Sequence, residues 1–151
     1  MGLYVDDVMP ARLRALPTWL ISQVEIRGHR QLTERLAAAG SRGYHYRLLA
    51  ALDEFGPASQ ASLGRRTGMN RSDVVPAVNE LVGQGLAERA GDSADRRRNI
   101  ITMTPAGAAQ LRRLDTVLAQ VQDDLLAPLS PAERTEFTQL LTRILANQGQ
   151  P

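Results

Sequence analysis

The sequence predicts a mostly helical chain with one small β-hairpin, an α+β fold class. Apolar residues recur at helical spacing through most of the 151 residues, whereas the alternation typical of strands is confined to residues 86–90 and 99–104. Glycine and proline separate the helical segments, so the chain divides into several helices around a single hairpin. Because this length suits one folding unit, we expect residues 1–151 to form a single domain.

Composition restricts the classes of protein that the chain can represent. Hydrophobic residues make up 43% of the sequence but aromatic residues only 4%, so we expect a core of aliphatic side chains. No apolar run approaches the roughly 18 residues that a membrane span requires, and the N-terminus lacks the apolar block of a secretory signal. We therefore expect a cytoplasmic protein. With no cysteine and two histidines, we expect no disulfide, metal site or cofactor.

The 18 basic residues are all arginine, and their distribution along the chain is uneven. The formal net charge is only +2, yet residues 89–98 hold four arginines against two aspartates, which leaves the rest of the chain close to neutral. A local basic patch on a balanced protein indicates a specific contact with a polyanion rather than a general attraction.

Two helices are predicted in the first third of the chain. The first covers residues 17–40, because Pro17 suits an initial turn and Gly40 suits a C-terminal stop. The second covers residues 44–56 and ends at a Gly-Pro pair.

Two shorter helices follow and are joined by a tight turn. The first covers residues 59–68, with Ser59 as its N-cap and a glycine at its C-terminus. The second covers residues 69–85, and Asn70 is placed to cap its N-terminus.

The hairpin and two further helices complete the pattern. In the second strand, Ile101 and Met103 alternate toward one face, as strand geometry requires. The next helix opens at Thr104-Pro105 and carries a heptad seam of Leu111, Leu114, Leu118, Val121 and Leu125. A capping box at residues 130–133 begins the last helix, whose apolar face is expected to be buried and comprises Phe137, Leu140, Leu141, Ile144 and Leu145.

Residues 44–104 therefore predict a winged helix–turn–helix lobe. In such a lobe the second helix of the pair, here residues 70–84, enters the major groove of DNA. Val74, Val78 and Leu81 fall on its core side. The opposite side is expected to face the duplex and carries Arg71, Ser72, Val75, Pro76 and Asn79. The alternative is a helix packed on both sides in an ordinary helical bundle.

Pro76 lies inside this recognition helix. It removes the hydrogen bond back to residue 72, costs about 3 kcal/mol and predicts a kink. Val75 and Pro76 are apolar on a face that is expected to meet DNA, where a thymine methyl would accept them. They also favour a second hypothesis, a winged helix that has become a protein-interaction module without specific DNA binding.

The arginine-rich loop predicts a second DNA contact. On a ribbon, Asp95 and Arg97 share a face, so the carboxylate can orient the guanidinium for insertion into a narrow minor groove. Arg96 and Arg98 would point the other way, toward phosphates or solvent. The alternative is an exposed hairpin tip whose charges are merely solvated.

Two stretches between Tyr46 and Leu114 carry a specific pattern. They are RLLAALDEFGPASQASLGRRTGMNRSDVVPAVNELVGQGLAER and the wing pattern Asp95-x-Arg97-x-x-x-Ile101-x-Met103-Thr104-x-x-Gly107. Through these stretches the sequence resembles the MarR family of transcriptional regulators. The resemblance implies a homodimeric repressor or activator that binds a pseudo-palindromic operator of double-stranded DNA through the recognition helix and the wing, residues 91–99. By position it also implies DNA contacts from the supporting helix, through Ser59, Gln60, Ser62 and Arg66.

Dimerisation is also predicted from the apolar surface of the flanking helices. Residues 17–40 and 105–147 carry more apolar surface than one small lobe can cover, so they can build an intersubunit bundle. A two-fold dimer would place the two recognition helices about one DNA turn, ~34 Å, apart. The alternative is an intramolecular bundle in a monomer.

The resemblance further implies a small aromatic or phenolic anion as effector, bound between the dimerisation helices and the lobe. An arginine among aromatic side chains can hold a carboxylate or phenolate. The candidate residues are Trp19, His29, Tyr44, Tyr46 and Arg47, besides His45, and for each of them ordinary packing or surface exposure is the alternative. An enzyme is not expected, because no motif groups serine, histidine and aspartate and no glycine-rich phosphate loop occurs.

Overall fold

The computed structural model describes residues 9–91, 93–95 and 99–148. The helices are α1 (Ala11–Arg14), α2 (Pro17–Ala38), α3 (Gly43–Phe55), α4 (Gln60–Thr67), α5 (Arg71–Gly83), α6 (Pro105–Leu125) and α7 (Pro131–Gln148). The strands are β1 (Ala58–Ser59), β2 (Ala87–Gly91) and β3 (Asn99–Met103). This order confirms the predicted fold class, a mostly helical chain with a winged helix–turn–helix arrangement of α4, α5 and the β2–β3 hairpin.

The small sheet contains one strand that the sequence analysis missed. Its order is β1-β3-β2, and both pairings are antiparallel. Ala58 of β1 and Arg89 of β2 both pair with Ile101, the fully buried centre of β3. A strand of two residues is too short to show alternation of apolar and polar residues, so β1 could not be predicted from periodicity. It fixes the start of α4 against the hairpin.

The core of the lobe lies between α3, α4, α5, the sheet and the first half of α6. It is aliphatic, as the composition predicts, and its fully buried side chains include Leu48, Leu49, Leu63, Val78, Leu81, Ile101 and Leu114. Each such side chain stabilises the fold by about 1.5–3 kcal/mol relative to an exposed position.

Helix ends follow the predicted signals at most positions. The Ser59 hydroxyl accepts a hydrogen bond from the Ser62 N–H at 3.2 Å, and Gly68 ends α4 with a left-handed φ of 67°. Asn70 occupies the N-cap position of α5, but its side chain makes no capping hydrogen bond, so that part of the prediction is wrong. Helix α5 runs without interruption through Pro76.

The capping box that begins α7 forms as predicted. The Ser130 N–H donates to Glu133 Oε1 at 2.9 Å, and the Glu133 N–H donates to Ser130 Oγ at 3.2 Å. The Ser130 backbone N–H and, to a lesser extent, the Ser130 side chain lower the pKa of the Glu133 carboxyl below its ordinary value by hydrogen bonding to it. The start of α7 is therefore defined by local chemistry, although the helix itself packs little against the remainder of the chain.

The heptad seam of α6 is largely covered within the chain. Helix α6 packs against α2 and α3, where Leu111, Leu114 and Val121 are buried and Leu118 and Leu125 are half-buried. A Cβ atom on Gly28 of α2 would lie 3.3 Å from Leu125 Cδ2, so this glycine permits the close crossing of the two helices. The seam itself therefore leaves little surface for a second copy.

The apolar face of α7 is largely uncovered, contrary to the expectation that it is buried, and only Phe137 and Leu141 are half-buried. No residue of α7 is buried, and Leu140, Ile144 and Leu145 are 45%, 51% and 72% exposed. Helix α2 exposes Leu20, Ile21 and Val24 on one side, and Ile26 is exposed on a different side. An unpartnered apolar surface of this kind on a folded chain marks an interaction site.

Candidate nucleic-acid interface

Helix α5 separates its two faces as the sequence predicts. Val74 and Val78 are essentially fully buried, whereas Ser72, Val75 and Asn79 lie on the exposed side. Their spacing of three, four and seven residues keeps these three exposed side chains on one stripe of the helix. The stripe faces away from the core and is open for contact with another molecule.

A groove of about 480 Å³ separates α4 from α5 on the exposed side of the lobe. Arg65 near the end of α4 and Arg71 at the start of α5 both line it, together with Gln60, Val75 and Asn99. Two guanidinium groups beside a groove between these helices are well placed to bind phosphate oxygens, because arginine donates in a planar fork.

Arg65 is the cation in this groove that the sequence analysis did not select. Arg65 and Arg66 both lie in the last turn of α4, so their positions in the sequence do not separate them. Arg66 instead lies over the ring of Phe55, with its guanidinium carbon 4.4 Å from the ring centroid. Tertiary packing therefore decides which of these two neighbouring arginines lines the groove.

The other predicted contacts of α4 divide into capping and lining residues. Ser59 lines the groove but is only 7% exposed, and its hydroxyl caps α4, so the oxygen is engaged in the fold and a DNA contact from Ser59 stays a prediction. Ser62 is half-buried and donates its backbone N–H to that cap. Gln60 lines the groove and is the α4 candidate that the structure brings toward Arg71.

A side-chain hydrogen bond joins the recognition helix to the hairpin. Arg89 Nη2 on β2 donates to Asn79 Oδ1 on α5 at 2.6 Å. Sequence reasoning counted Arg89 in the basic patch and placed Asn79 on the reading face, but the contact between them follows only from the fold.

The predicted wing tip lies mostly outside the described residues. Arg96, Arg97 and Arg98 belong to the part that the structure does not describe, so their roles and the pairing with Asp95 stay predictions. The described strands show where this loop starts and ends, because Gly91 pairs with Asn99. Asn99 also lines the groove between α4 and α5, so the loop leaves the sheet beside that groove.

Three polar contacts connect the start of α3 to α5. His45 Nε2 lies 2.5 Å from Glu80 Oε2, and Arg42 Nη1 lies 3.4 Å from Glu80 Oε1. The Tyr44 hydroxyl donates to Asp73 Oδ2 at 3.5 Å. His45 is 3% exposed and is engaged by Glu80 within the fold, and a part for it in ligand binding stays a prediction. The recognition helix is thus held from behind by the segment that begins α3.

A second cavity of about 680 Å³ lies between α2, α3 and α6. Its lining brings together four of the five predicted effector residues, His29, Tyr44, Tyr46 and Arg47; Trp19 is not among the lining residues. The Arg47 guanidinium carbon lies 5.7 Å from the Tyr44 ring centroid. The Tyr46 hydroxyl donates to Asp115 Oδ1 at 2.7 Å, and this bond, with partial burial, raises the pKa of Tyr46 above its ordinary value.

No site for a metal and no membrane-spanning helix is found in the described part of the chain. Within residues 9–91, 93–95 and 99–148, no group of three histidine, cysteine, aspartate or glutamate side chains could hold a metal ion. No helix in those ranges is both long enough and apolar enough to cross a bilayer.

Comparison with known proteins gives consistent results. Residues 41–98 match the model of the MarR family. A putative transcriptional regulatory protein for the hcr operon of Thauera aromatica is 37% identical over 86 residues, which are 57% of this chain and 52% of that protein. The HTH-type transcriptional repressor NicR of Pseudomonas putida is 30% identical over 97 residues, which are 64% of this chain and 61% of NicR. The matches thus span about half to three-fifths of these curated relatives.

A solved structure extends the likeness to nearly the whole fold. The PcaV transcriptional regulator from Streptomyces coelicolor, in complex with its natural ligand, is 25% identical with a TM-score of 0.76. The alignment covers 91% of this chain and 97% of PcaV.

The element order, the exposed stripe of α5 and the hairpin beside it define a winged helix–turn–helix protein. Residues 41–98 match the MarR family model, and the chain as a whole has the fold of solved transcriptional regulators such as PcaV.

Proposed function

We propose that this chain is a sequence-specific DNA-binding transcriptional regulator. The observation that carries the proposal is the exposed polar stripe of α5 beside a groove lined by Arg65 and Arg71. A B-DNA major groove is about 12 Å wide and admits a helix of this kind, with the preceding helix crossing the backbone. The names of the relatives, a regulator of an operon and a repressor, support the same conclusion.

In this arrangement the two arginines of the groove bind phosphates and the stripe of α5 reads bases. Ser72 and Asn79 provide hydrogen-bonding groups, and the exposed part of Val75, 36% of its surface, suits a thymine methyl. The loop between β2 and β3 leaves the sheet beside the same groove, which supports the expected contact of its arginines with an adjacent minor groove.

The regulator acts as a homodimer in this proposal. The uncovered apolar sides of α2 and α7 support it, because two such surfaces on one chain can be buried together by a two-fold related copy. A symmetric dimer requires a pseudo-palindromic operator with half-sites about one helical turn apart. Repression is the proposed sign of regulation, and the name of NicR supports it.

Removal of the two groove arginines tests the proposed DNA contact. The double variant Arg65→Ala, Arg71→Ala should lose at least about 100-fold in affinity for DNA that the parent selects from a random pool, because each lost phosphate contact reduces counterion release. The plot of log affinity against log salt should become shallower by about two per protomer.

A control with the same change of charge is Arg112→Ala, Arg113→Ala, since these exposed arginines on α6 line a different groove. This control should retain most of the affinity and the original salt dependence. An Arg65, Arg71 double variant that binds as tightly as the parent, with the same salt dependence, would contradict the assignment.

We further propose that the cavity of about 680 Å³ binds a small aromatic carboxylate or phenolate that releases DNA. Arg47 beside the Tyr44 ring offers a cation and an aromatic surface for such a ligand. The complex of PcaV with its natural ligand supports the presence of a ligand site in this fold. Arg42 and Tyr44 line the cavity and also contact Glu80 and Asp73 of α5. A ligand carboxylate that binds Arg42 and Tyr44 competes with Glu80 and Asp73 for these two side chains, and the loss of those contacts shifts α5.

A panel of benzoates and hydroxybenzoates tests the effector site. At least one compound should raise the melting temperature of the parent and weaken DNA binding, since a ligand stabilises the state to which it binds. The Arg47→Ala variant should require roughly ten-fold more of that compound for the same effect. If no compound in the panel changes either the melting temperature or the DNA affinity, a benzoate-type effector is ruled out.

The second candidate function is a protein-interaction module. The exposed Val75 and Pro76 on the reading face favour it, because apolar residues there suit a protein partner as well as a thymine methyl. Retention of a partner protein through this face, with no DNA shift at low salt, would favour this candidate over the regulator.

A further inference from the structure

Arg89 and Asn79 form a pair at the boundary between the recognition helix and the hairpin. Their 2.6 Å hydrogen bond joins a strand residue to the exposed stripe of α5. A guanidinium has only donor groups, so the side-chain oxygen of Asn79 must face Arg89, and the amide orientation is settled by chemistry. The NH2 group of Asn79 is then left for other partners.

The pairing changes what Asn79 can recognise. An unpaired asparagine reads adenine with both ends of its amide, accepting from the N6 amino group and donating to N7. With Arg89 on its oxygen, the approaching base meets N–H donors from both side chains. Donors suit the O6 and N7 acceptors of guanine or the O4 acceptor of thymine, and they repel the amino groups of adenine and cytosine.

We infer that Arg89 is a specificity-determining residue that turns Asn79 from an adenine reader into part of a donor pair selecting guanine or thymine. The inference rests on the proposed DNA-binding function, because it requires the stripe of α5 to face base edges. Arg89 acts here by orienting Asn79 and by adding its own donors.

The strand geometry supplies a matched control for this pair. Successive residues of a strand point to opposite faces, so the side chain of Glu88 lies on the other face of β2 from Arg89. Glu88 is exposed, pairs with Thr102 across the sheet and takes no part in the contact with Asn79. A Glu88→Gln variant alters the same strand without touching the pair.

The experiment compares base preferences rather than overall affinity. The parent, Arg89→Met, Asn79→Ala and Glu88→Gln are measured on the DNA that the parent selects and on every single-base substitution of one half-site. Methionine keeps the aliphatic stem of Arg89 and removes its donors, and thermal unfolding verifies that each variant is folded. If Arg89→Met does not fold, Arg89→Lys takes its place, because lysine retains the charge but cannot reproduce the planar fork.

At one position of the half-site, the parent should prefer guanine or thymine. Arg89→Met should shift the preference there toward adenine by about ten-fold, Arg89→Lys should shift it by less, and Asn79→Ala should remove discrimination at that position only. Glu88→Gln should match the parent throughout. A uniform loss of affinity at all bases, which is the pattern of a phosphate contact, would overturn the inference and leave the proposed function standing. A parent that selects no DNA would instead refute the proposed function.

Discussion

The Gly107→Ala variant is expected to lose at least about 4 kcal/mol of the free energy of unfolding, a large share of the 5–15 kcal/mol typical of a domain. A Cβ atom at this position would lie 2.1 Å from the Leu86 carbonyl oxygen and 2.8 Å from Met103 Cγ. Both distances are far below van der Waals contact, and the first involves backbone.

Two hydrogen bonds of Thr104 prevent the first turn of α6 from moving to relieve this clash. The Thr104 N–H donates to the same Leu86 oxygen at 3.1 Å, and the Thr104 hydroxyl donates to the Gly85 carbonyl at 2.6 Å. The first turn of α6 is therefore held against the turn that follows α5. Moving it away to admit a methyl group would break these bonds and displace the hairpin relative to the recognition helix.

Gly83→Ala is the matched control, since nothing lies within 4 Å of a Cβ atom at the end of α5. A glycine-to-alanine change in an open helical position is neutral or stabilises by up to about 1 kcal/mol. Urea denaturation followed by circular dichroism measures both variants. Equal stability of the two variants would show that Leu86 does not restrict position 107.

The double variant Ile144→Glu, Leu145→Glu is expected to be a monomer that binds selected DNA at least about 100-fold more weakly than the parent. Both side chains are at least half exposed on α7, so the substitutions leave the core of the lobe intact. Burying two carboxylates in an apolar interface is strongly unfavourable. Without the dimer, each protomer must bind its half-site separately, and the increase in affinity that comes from linking the two binding events is lost.

A control with the same added charge is Gln139→Glu, Ala146→Glu, which alters the opposite side of α7. Sedimentation equilibrium should show a dimer for the parent and this control, and a monomer for the Ile144, Leu145 variant. A parent that is itself monomeric at micromolar concentration, or a dimeric Ile144, Leu145 variant, would refute the role of this face.

Periodicity predicted the parts of the fold that depend on local spacing. The inside and outside of α5 follow from a repeat of 3.6 residues, and the burial of Ile101 follows from strand alternation. The wing pattern ending in Gly107 now has a physical explanation, because only a residue without a side chain fits against the Leu86 carbonyl. The sequence shows such a glycine but not the oxygen that requires it.

Contacts between residues that are distant in the sequence could not be predicted from the spacing of apolar residues. The heptad repeat of α6 indicates an apolar seam, yet the same pattern suits a helix of the same chain or of a second copy, and most of the seam is covered by α2 and α3. The choice of Arg65 over Arg66 for the groove, and the contact of Asn79 with Arg89, likewise arise when distant segments meet.

Selection of DNA from a random pool by the parent protein tests the central claim most directly, because it asks whether the exposed stripe of α5 reads a sequence in two symmetric copies. We predict enrichment of one inverted repeat whose half-sites are centred about one helical turn, ~10 base pairs, apart. Failure to enrich any sequence at low salt, or enrichment of a single half-site without symmetry, would contradict it.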